Sequence, residues 1–296
     1  MVIVKIAGGL GNQMFMYCYA KALQRRGYQV YLDTESFFEY EQSLQSKWKK
    51  SNVYSCGLDN FQIDIPQIEP SKSWFKYLVG KKKKEWVAEF CTKYGLFHYY
   101  DWTNTKFNDK YLKEMMYIQD RSYVSGYFQT EKIFAKFAKE IRQSFLPKKE
   151  INFPANFLSK RTPGLPLVSL HFRRTDYKYT SNLDMLELNY YMKAIDYLKE
   201  KIGRFDLCVF SDESSWVKEN LTFDSMNIMY ICDYGKFKDY EELLLMSYCN
   251  HNIIANSTFS WWGAWLNRNQ DKIVIAPEIW LNNKDYRIVP DQWIKM

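Results

Sequence analysis

The chain has 296 residues, 47% of them hydrophobic and 25% charged, and its mean hydropathy is −0.46. These values exclude a disordered chain, a collagen-like repeat and a membrane-embedded protein, and the length favours about two domains of ~150 residues each. The net charge of +7 is uneven, with about +8 in residues 1–150 and about −1 in residues 151–296. A basic half favours an acidic partner such as nucleic acid, a phosphate-bearing substrate or an anionic membrane surface.

The cysteines and the N-terminal segment favour a cytoplasmic protein. The six cysteines form no C-x-x-C pair and several lie in apolar runs, so we expect reduced core thiols. The apolar stretch before Gly8 is too short for a signal-peptide core or a membrane span. The expected location is therefore the cytoplasm.

The first half of the chain begins with a βαβ unit. Hydrophobic patterning and glycines predict a strand at 2–6, a tight turn at 8–13 (GGLGNQ), a helix at 13–26 and a strand at 28–32. Residues 36–120 show no clean period. Beyond them, the pattern predicts a strand at 122–128 and an amphipathic helix at 130–146.

A proline-bearing stretch separates the two halves. Residues 146–166 hold four of the eight prolines, which is typical of a linker. We therefore expect two domains, 1–150 and 151–296.

The second half alternates strands with helices over short loops. Strands are predicted at 167–172, 205–210, 227–231, 252–255 and 272–276, and helices at 187–202, 214–221, 239–249 and 258–268. This order specifies an α/β fold with a parallel sheet covered on both faces. Ligands of such sheets bind at the carboxyl ends of strands, so the loops after residues 172, 210, 231 and 255 are the candidate positions.

Two of these loops carry residues suited to an anion. HFRRTDY (171–177) places a histidine and two arginines at a strand end, and arginine donates paired hydrogen bonds to phosphate oxygens. The alternative is that Arg173 and Arg174 pair with nearby acids. ANSTFSWWGAWL (255–266) places hydroxyl and amide side chains before a helix, more than capping alone needs, while its tryptophans are typical of helix packing.

Two further motifs are weaker. In SDES (211–214), we favour Ser211 and Asp212 as residues that stabilise a helix start over direct ligand contact. GGLGNQ has G-x-G without the third glycine of a dinucleotide loop, so a glycine-requiring turn and a ligand loop remain equally good interpretations.

The chain resembles the bacterial α-1,2-fucosyltransferases of glycosyltransferase family 11 in four motifs, which occur in the order GGLGNQMF, HFRRTDY, SDESSWV and NHNIIANSTFSWWGAWL. The resemblance implies a GT-B-like fold of two Rossmann-like domains, with the acceptor on 1–150 and GDP-fucose on 151–296. It implies metal-independent transfer of L-fucose from GDP-β-L-fucose to the 2-hydroxyl of a terminal β-galactoside, with inversion and without a cofactor. Transfer from another GDP-sugar, or hydrolysis of one, is the alternative within the same donor site.

The resemblance also implies roles for single residues. Arg173 becomes the pyrophosphate clamp, Arg174 its neighbour, and His171 and Asp176 line the donor site, with Asp176 expected to take the acceptor proton. The remaining donor-site residues implied are Gly11, Asn12, Glu242, Asn256, Ser257, Thr258, Phe259 and Ser260. Glu242 stands where aspartate is more usual, opposite the guanine or ribose.

A basic and aromatic stretch at 72–86 accounts for much of the excess charge. It favours peripheral contact with the inner face of the plasma membrane, where lipid-linked glycans such as the lipopolysaccharide O-antigen are assembled, and a solvated charged face is the alternative. A protein that binds single-stranded nucleic acid would also combine basic and aromatic residues. That function is disfavoured because the residues suited to binding phosphate cluster in residues 151–296, the less basic half of the chain.

Overall fold

A computed structural model describes residues 1–34, 56–68, 97–103, 109–174, 186–221, 226–281 and 288–296. The chain divides into two compact units, Met1–Lys148 and Lys149–Met296, and each contains a parallel sheet. Within the described ranges, no helix has the length and apolar character needed to cross a membrane. Asp176, Cys91 and the 72–86 stretch lie outside the described residues.

The first unit is built on a four-stranded sheet with the order β2-β1-β4-β3. The strands are β1 (Val2–Lys5), β2 (Val30–Asp33), β3 (His98–Asp101) and β4 (Ser122–Ser125), and the helices include α1 (Leu10–Arg25), α2 (Asp109–Met116) and α3 (Ala138–Ser144). The predicted N-terminal βαβ unit is confirmed, because β1 and β2 pair in parallel around α1. The strand β3 lies in the region where the sequence shows no clean period.

Two predictions in this unit were wrong in detail. The helix α1 begins at Leu10, so Gly11 and Asn12 belong to its first turn rather than to the predicted tight turn. In place of one helix over 130–146, two 3₁₀ turns, Glu131–Ile133 and Ala135–Phe137, precede α3. Between them, the buried Phe134 has φ −127° and ψ 0°, which interrupts the helix.

The second unit confirms the predicted alternation of strands and helices around a parallel sheet. Its strands are β5 (Leu167–Phe172), β6 (Asp206–Ser211), β7 (Ile228–Tyr230), β8 (His251–Ile253), β9 (Val274–Ala276) and β10 (Ile294–Lys295). Its helices include α4 (Ala155–Leu158), α5 (Leu188–Ile202), α6 (Ser214–Asn220), α7 (Asp239–Ser247) and α8 (Thr258–Leu266). The helix α4 lies inside the predicted linker, and β10 was not predicted.

The order of this sheet is β10-β9-β8-β5-β6-β7. The chain starts in the middle, moves out through β6 and β7, and returns to the other side of β5 for β8, β9 and β10. The strand order therefore reverses between β5 and β8, and parallel sheets bind ligands in the crevice outside the carboxyl ends of such strands. Both predicted anion loops follow these two strands.

The core explains most of the apolar sequence runs. Val168, Leu170 and Phe172 of β5 are buried with the inner face of α5, and Trp261 and Trp262 of α8 are fully buried, as predicted. Cys18, Cys208 and Cys249 are buried thiols, which confirms the prediction for them. The prediction of a core position was wrong for Cys232, which is exposed within the 3₁₀ turn Ile231–Asp233 that follows β7.

Candidate functional site

The central strand β5 carries the first candidate residues at its carboxyl end. His171 is 4% exposed, and its ring lies 5.6 Å from that of Phe259, at the start of α8. This contact joins the end of β5 to the residues that follow β8, across the point where the strand order reverses. Arg173 and Arg174 come directly after β5, in the same crevice.

An aspartate from the neighbouring strand holds both arginines. The Arg173 Nε lies 3.3 Å from Oδ2 of Asp212, which follows β6. The other oxygen of the same carboxylate, Oδ1, accepts the backbone N–H of Arg174 at 3.0 Å. The side chains of Arg173 and Asp212 are 21% and 18% exposed, so this ion pair lies at the surface of the crevice and is partly shielded from solvent.

The Arg174 side chain has its own partners. Its Nε donates to Oε2 of Glu213 at 2.8 Å, and its guanidinium carbon lies 3.2 Å from the ring centroid of Trp216 on α6. A guanidinium over an indole face gains a cation–π interaction and loses rotational freedom. Both arginines therefore pair with nearby acids, Asp212 and Glu213, as the alternative prediction stated. These acids fix the direction of the two cations.

The SDES segment leads into a helix as predicted, but Ser211 and Asp212 are not its capping residues. The N-cap residue of α6 is Glu213, and Ser211 is the last residue of β6. Ser211 Oγ accepts the backbone N–H of Glu213 at 3.0 Å, while the Asp212 carboxylate is turned toward the arginines. Glu213 and Trp216 were missed by sequence reasoning, although both lie in the SDESSWV motif, where an acid and an aromatic follow a strand end.

Glu242 on α7 belongs to the same electrostatic environment. Burial is the largest cause that raises the pKa of its carboxyl to about 7, and the negative charges of Asp239 and Asp212 contribute to the same rise. Glu242 is therefore close enough to Asp212 for their charges to interact. A carboxyl with this pKa is about half protonated at neutral pH, so it can donate as well as accept a hydrogen bond.

The loop between β8 and α8 is tightly held. Asn256 is 4% exposed, and its Nδ2 donates to the Trp280 carbonyl at 3.2 Å. Ser257 is the N-cap residue in an extended conformation, and Ser260 Oγ donates to its carbonyl at 3.3 Å. Thr258 and Phe259 open α8 and are half-buried. This nine-residue helix begins shortly after the carboxyl end of β8, and the backbone N–H groups of a helix's first turn are suited to binding an anion.

The N-terminal motif organises the first unit. Asn12 Oδ1 accepts from Gln129 Nε2 at 2.7 Å, and Gln13 donates to the Gly8 carbonyl and accepts from the backbone N–H of Gly57, both at 2.9 Å. Gly11 is buried in the first turn of α1. The amide side chains of this motif thus join three segments that are distant in sequence.

Acidic, histidine and cysteine side chains do not form a cluster of three or more that could hold a metal ion anywhere in the described ranges.

The sequence matches a family model described as Glycosyl transferase family 11 over residues 1–295. Two proteins of Escherichia coli are each 30% identical to this chain. The alignment with an alpha-1,2-colitosyltransferase covers 100% of this chain and 98% of that protein. The alignment with the O-antigen biosynthesis glycosyltransferase WbnK covers 98% of this chain and 99% of that protein. The structure of a mutant of Arabidopsis thaliana FUT1 in complex with GDP matches with a TM-score of 0.50 at 11% identity, over 93% of this chain and 70% of that one. This last likeness concerns the fold.

Proposed function

Because the chain belongs to glycosyltransferase family 11, we propose that it transfers L-fucose from GDP-β-L-fucose to the 2-hydroxyl of a terminal β-galactoside, with inversion. The coarser statement, a glycosyltransferase that forms α-1,2 linkages from a GDP-sugar, is supported by the family of this chain and by the E. coli relative whose name gives an alpha-1,2 linkage. A GT-B-like pair of Rossmann-like domains is part of the proposal. Met1–Lys148 would bind the acceptor and Lys149–Met296 the donor.

The observation that carries the proposal is the fixed arginine pair at the carboxyl end of β5. When GDP departs, negative charge develops on the β-phosphate. A hydrogen-bond donor that already points at that charge stabilises the transition state by roughly 3–4 kcal/mol. Arg173 is held by Asp212 at 3.3 Å, so its direction is set before the donor binds. Further hydrogen-bond donors for the same pyrophosphate are the N-terminal N–H groups of α8 and the hydroxyls of Ser257 and Thr258.

The acceptor hydroxyl must lose its proton during the reaction. We propose Asp176 as the group that takes it, on the sequence resemblance alone, with His171 and Phe259 closing the floor of the donor site. An oxocarbenium-like transition state places most of its charge on the sugar and the leaving phosphate. The base therefore contributes less than Arg173.

The test compares Arg173→Ala with Arg204→Ala, an exposed arginine of the same unit. Transfer of fucose from GDP-fucose to lactose should fall by roughly 10²- to 10³-fold in Arg173→Ala, because the preorganised hydrogen-bond donor of the guanidinium is removed. The second should keep normal turnover. Near-normal transfer by a folded Arg173→Ala variant would overturn the proposed role of Arg173.

Colitose is the second candidate for the transferred sugar, because one of the two E. coli relatives is a colitosyltransferase. Calorimetry with GDP-fucose, GDP-colitose, GDP-mannose and UDP-galactose separates these donors. Fucose transfer predicts the tightest binding for GDP-fucose, whereas equal binding of UDP-galactose would contradict a GDP-sugar site.

For the acceptor, we propose a galactoside of a growing lipopolysaccharide O-antigen, since one relative carries O-antigen biosynthesis in its name. Such an acceptor is lipid-linked at the cytoplasmic face of the inner membrane. Peripheral contact through the 72–86 stretch stays a prediction from sequence, and liposome co-sedimentation that is unchanged after Lys81 to Lys84 become Gln would contradict it.

A further inference from the structure

The sheet of the first unit also reverses its strand order. The chain moves from β1 to β2 on one side of the sheet and returns to the other side of β1 for β3 and β4. The reversal therefore lies between β1 and β4, and parallel sheets bind ligands at the carboxyl ends of such strands. One amide side chain follows each of these two strands, Asn12 after β1 and Gln129 after β4.

A hydrogen bond between the two amides fixes the orientation of Asn12. Gln129 Nε2 donates to Oδ1 of Asn12 at 2.7 Å. If the Asn12 amide were turned over, its Nδ2 would face the Gln129 Nε2, and two donors would oppose each other. The Asn12 Nδ2 is therefore held away from the Gln129 Nε2, and it lies 3.1 Å from the position that a Cβ of Gly8 would take.

Burial divides the pair into an inner and an outer residue. Gln129 is 9% exposed, whereas Asn12 is half-buried and accessible from the edge of the sheet. An inner residue of this kind sets the direction of the outer one, which makes the contact with a ligand. With its Oδ1 turned inward, Asn12 presents N–H groups, and these suit an oxygen atom of a sugar.

The backbone that carries Gln129 is strained. Phe128, the residue before it, has φ +50°, a conformation that bulky side chains rarely adopt. The N–H of Thr130 donates to the Phe128 carbonyl at 2.8 Å, which closes a three-residue turn with Gln129 at its centre.

Packing around Phe128 holds this turn in place. Its ring is fully buried and stacks on the ring of Tyr19, with 3.8 Å between the centroids. A Cβ at Gly126 would lie 2.8 Å from the Phe128 Cζ, so the ring occupies the space that only a glycine leaves open. Strained backbone that the surrounding packing maintains in this way is typical of residues whose exact position is used in function.

We propose that Gln129 is a positioning residue for Asn12, and that the strained turn at Phe128 places its amide. Asn12 then donates an Nδ2 hydrogen to an oxygen of one of the two sugars in the reaction, the sugar of the donor or the galactoside acceptor. The inference rests on the proposed function. It adds a buried residue that lies outside the four sequence motifs.

The experiment is a double-mutant cycle on Asn12→Ala and Gln129→Met, with transfer of fucose from GDP-fucose to lactose as the readout. Methionine has about the length of glutamine but cannot donate a hydrogen bond, so Gln129→Met should lower kcat/KM about tenfold. In the Asn12→Ala background, the same change should cost less than about twofold, because the residue that Gln129 positions is already absent. Two losses that multiply in full overturn the positioning role.

Thr130→Val is the matched control in the same turn. It removes the buried hydroxyl that caps the following 3₁₀ turn and keeps the N–H that closes the turn at Gln129. Its melting temperature should therefore fall while kcat/KM stays within about twofold of the wild type. An equal kinetic loss in Thr130→Val and Gln129→Met overturns the positioning role, because a general loss of stability then explains both.

The separate kinetic constants distinguish the two sugars. A contact with the donor sugar raises the KM of GDP-fucose, a contact with the acceptor raises the KM of lactose, and a contact made only in the transition state lowers kcat. Asn12→Ala and Gln129→Met should change the same constant, and the Kd of GDP should stay within twofold in both. Different constants in the two variants, or an equal loss of GDP affinity, overturn the inference.

Each of those contrary results leaves the proposed function standing, since the wild-type chain still transfers the sugar. A wild-type chain that binds no GDP-sugar in calorimetry and transfers neither fucose nor colitose overturns the proposed function itself, and the role of Gln129 with it.

Discussion

One carboxylate fixes both arginines of the candidate donor site: Asp212 Oδ2 lies 3.3 Å from the Arg173 Nε, and Asp212 Oδ1 accepts the N–H of Arg174 at 3.0 Å. Asp212 follows β6 and the arginines follow β5, so the relationship exists only because these strands are neighbours in the sheet. It makes Asp212 a positioning residue for the proposed reaction.

Asp212→Asn should lower kcat/KM for the GDP-sugar by roughly 10- to 100-fold, because the Arg173 guanidinium loses a charged hydrogen-bond partner. The asparagine can still accept the Arg174 N–H, so the melting temperature should change little. Steady-state kinetics and thermal unfolding measure the two effects. Asp233→Asn removes an exposed ion pair with Lys218 and serves as the control, and equal kinetic losses in both variants would contradict the positioning role.

Trp216→Ala should weaken GDP binding about three- to tenfold, since the Arg174 guanidinium loses the ring face on which it lies. Trp216→Phe keeps an aromatic face and should recover most of the affinity. Calorimetric titration with GDP distinguishes the two. If both variants bind GDP equally poorly, loss of packing rather than of the cation–π contact is the cause.

Glu242 predicts a pH dependence of stability. Its pKa is about 7 in the folded chain, against an ordinary value of 4.5, so the folded state keeps a proton that the unfolded chain loses. Stability should therefore fall as pH rises from about 4.5 to 7. Glu242→Gln removes this titration and should be more stable than wild type by roughly 1–3 kcal/mol at pH 8, with a smaller difference at pH 5.

Denaturant unfolding at the two pH values measures the effect of Glu242→Gln. The control is Glu219→Gln, which changes an exposed glutamate on α6. Its free energy of unfolding should differ from that of the wild type by the same amount at both pH values. An advantage of Glu242→Gln at pH 5 as large as at pH 8 would contradict the elevated pKa as its source.

Gly8→Ala and Gly27→Ala form a matched pair in the first unit. Both glycines have positive φ, +73° and +92°, so each alanine should cost about 1–2 kcal/mol of unfolding free energy. A Cβ at Gly8 would lie 3.1 Å from the Asn12 Nδ2, whereas no atom of the described residues lies within 4 Å of one at Gly27. We expect only Gly8→Ala to reduce transfer activity, by displacing Asn12. Equal activity in the two variants would remove Asn12 from the proposed site.

The elements of the second unit could be predicted from the sequence because each gives a strong local signal. Leu167–Phe172 and Asp206–Ser211 are apolar runs buried on both faces, and α5 between them buries residues at helical spacing, namely Tyr191, Ala194, Ile195 and Leu198. In the first unit, the buried Phe134 interrupts the expected helix, and α1 is buried on nearly all sides, so local period is a poor guide there.

By itself, the sequence determined the α/β class, the parallel sheet of the second unit, the family, and the two strand ends where arginines and hydroxyls cluster. Those features follow from residue types at neighbouring positions. The tertiary structure decided that Asp212 and Trp216 hold the arginines, that Glu242 has an elevated pKa, and that Gln129 donates to Asn12. Each of these depends on residues brought together from different strands and helices, and on burial, which no local pattern encodes.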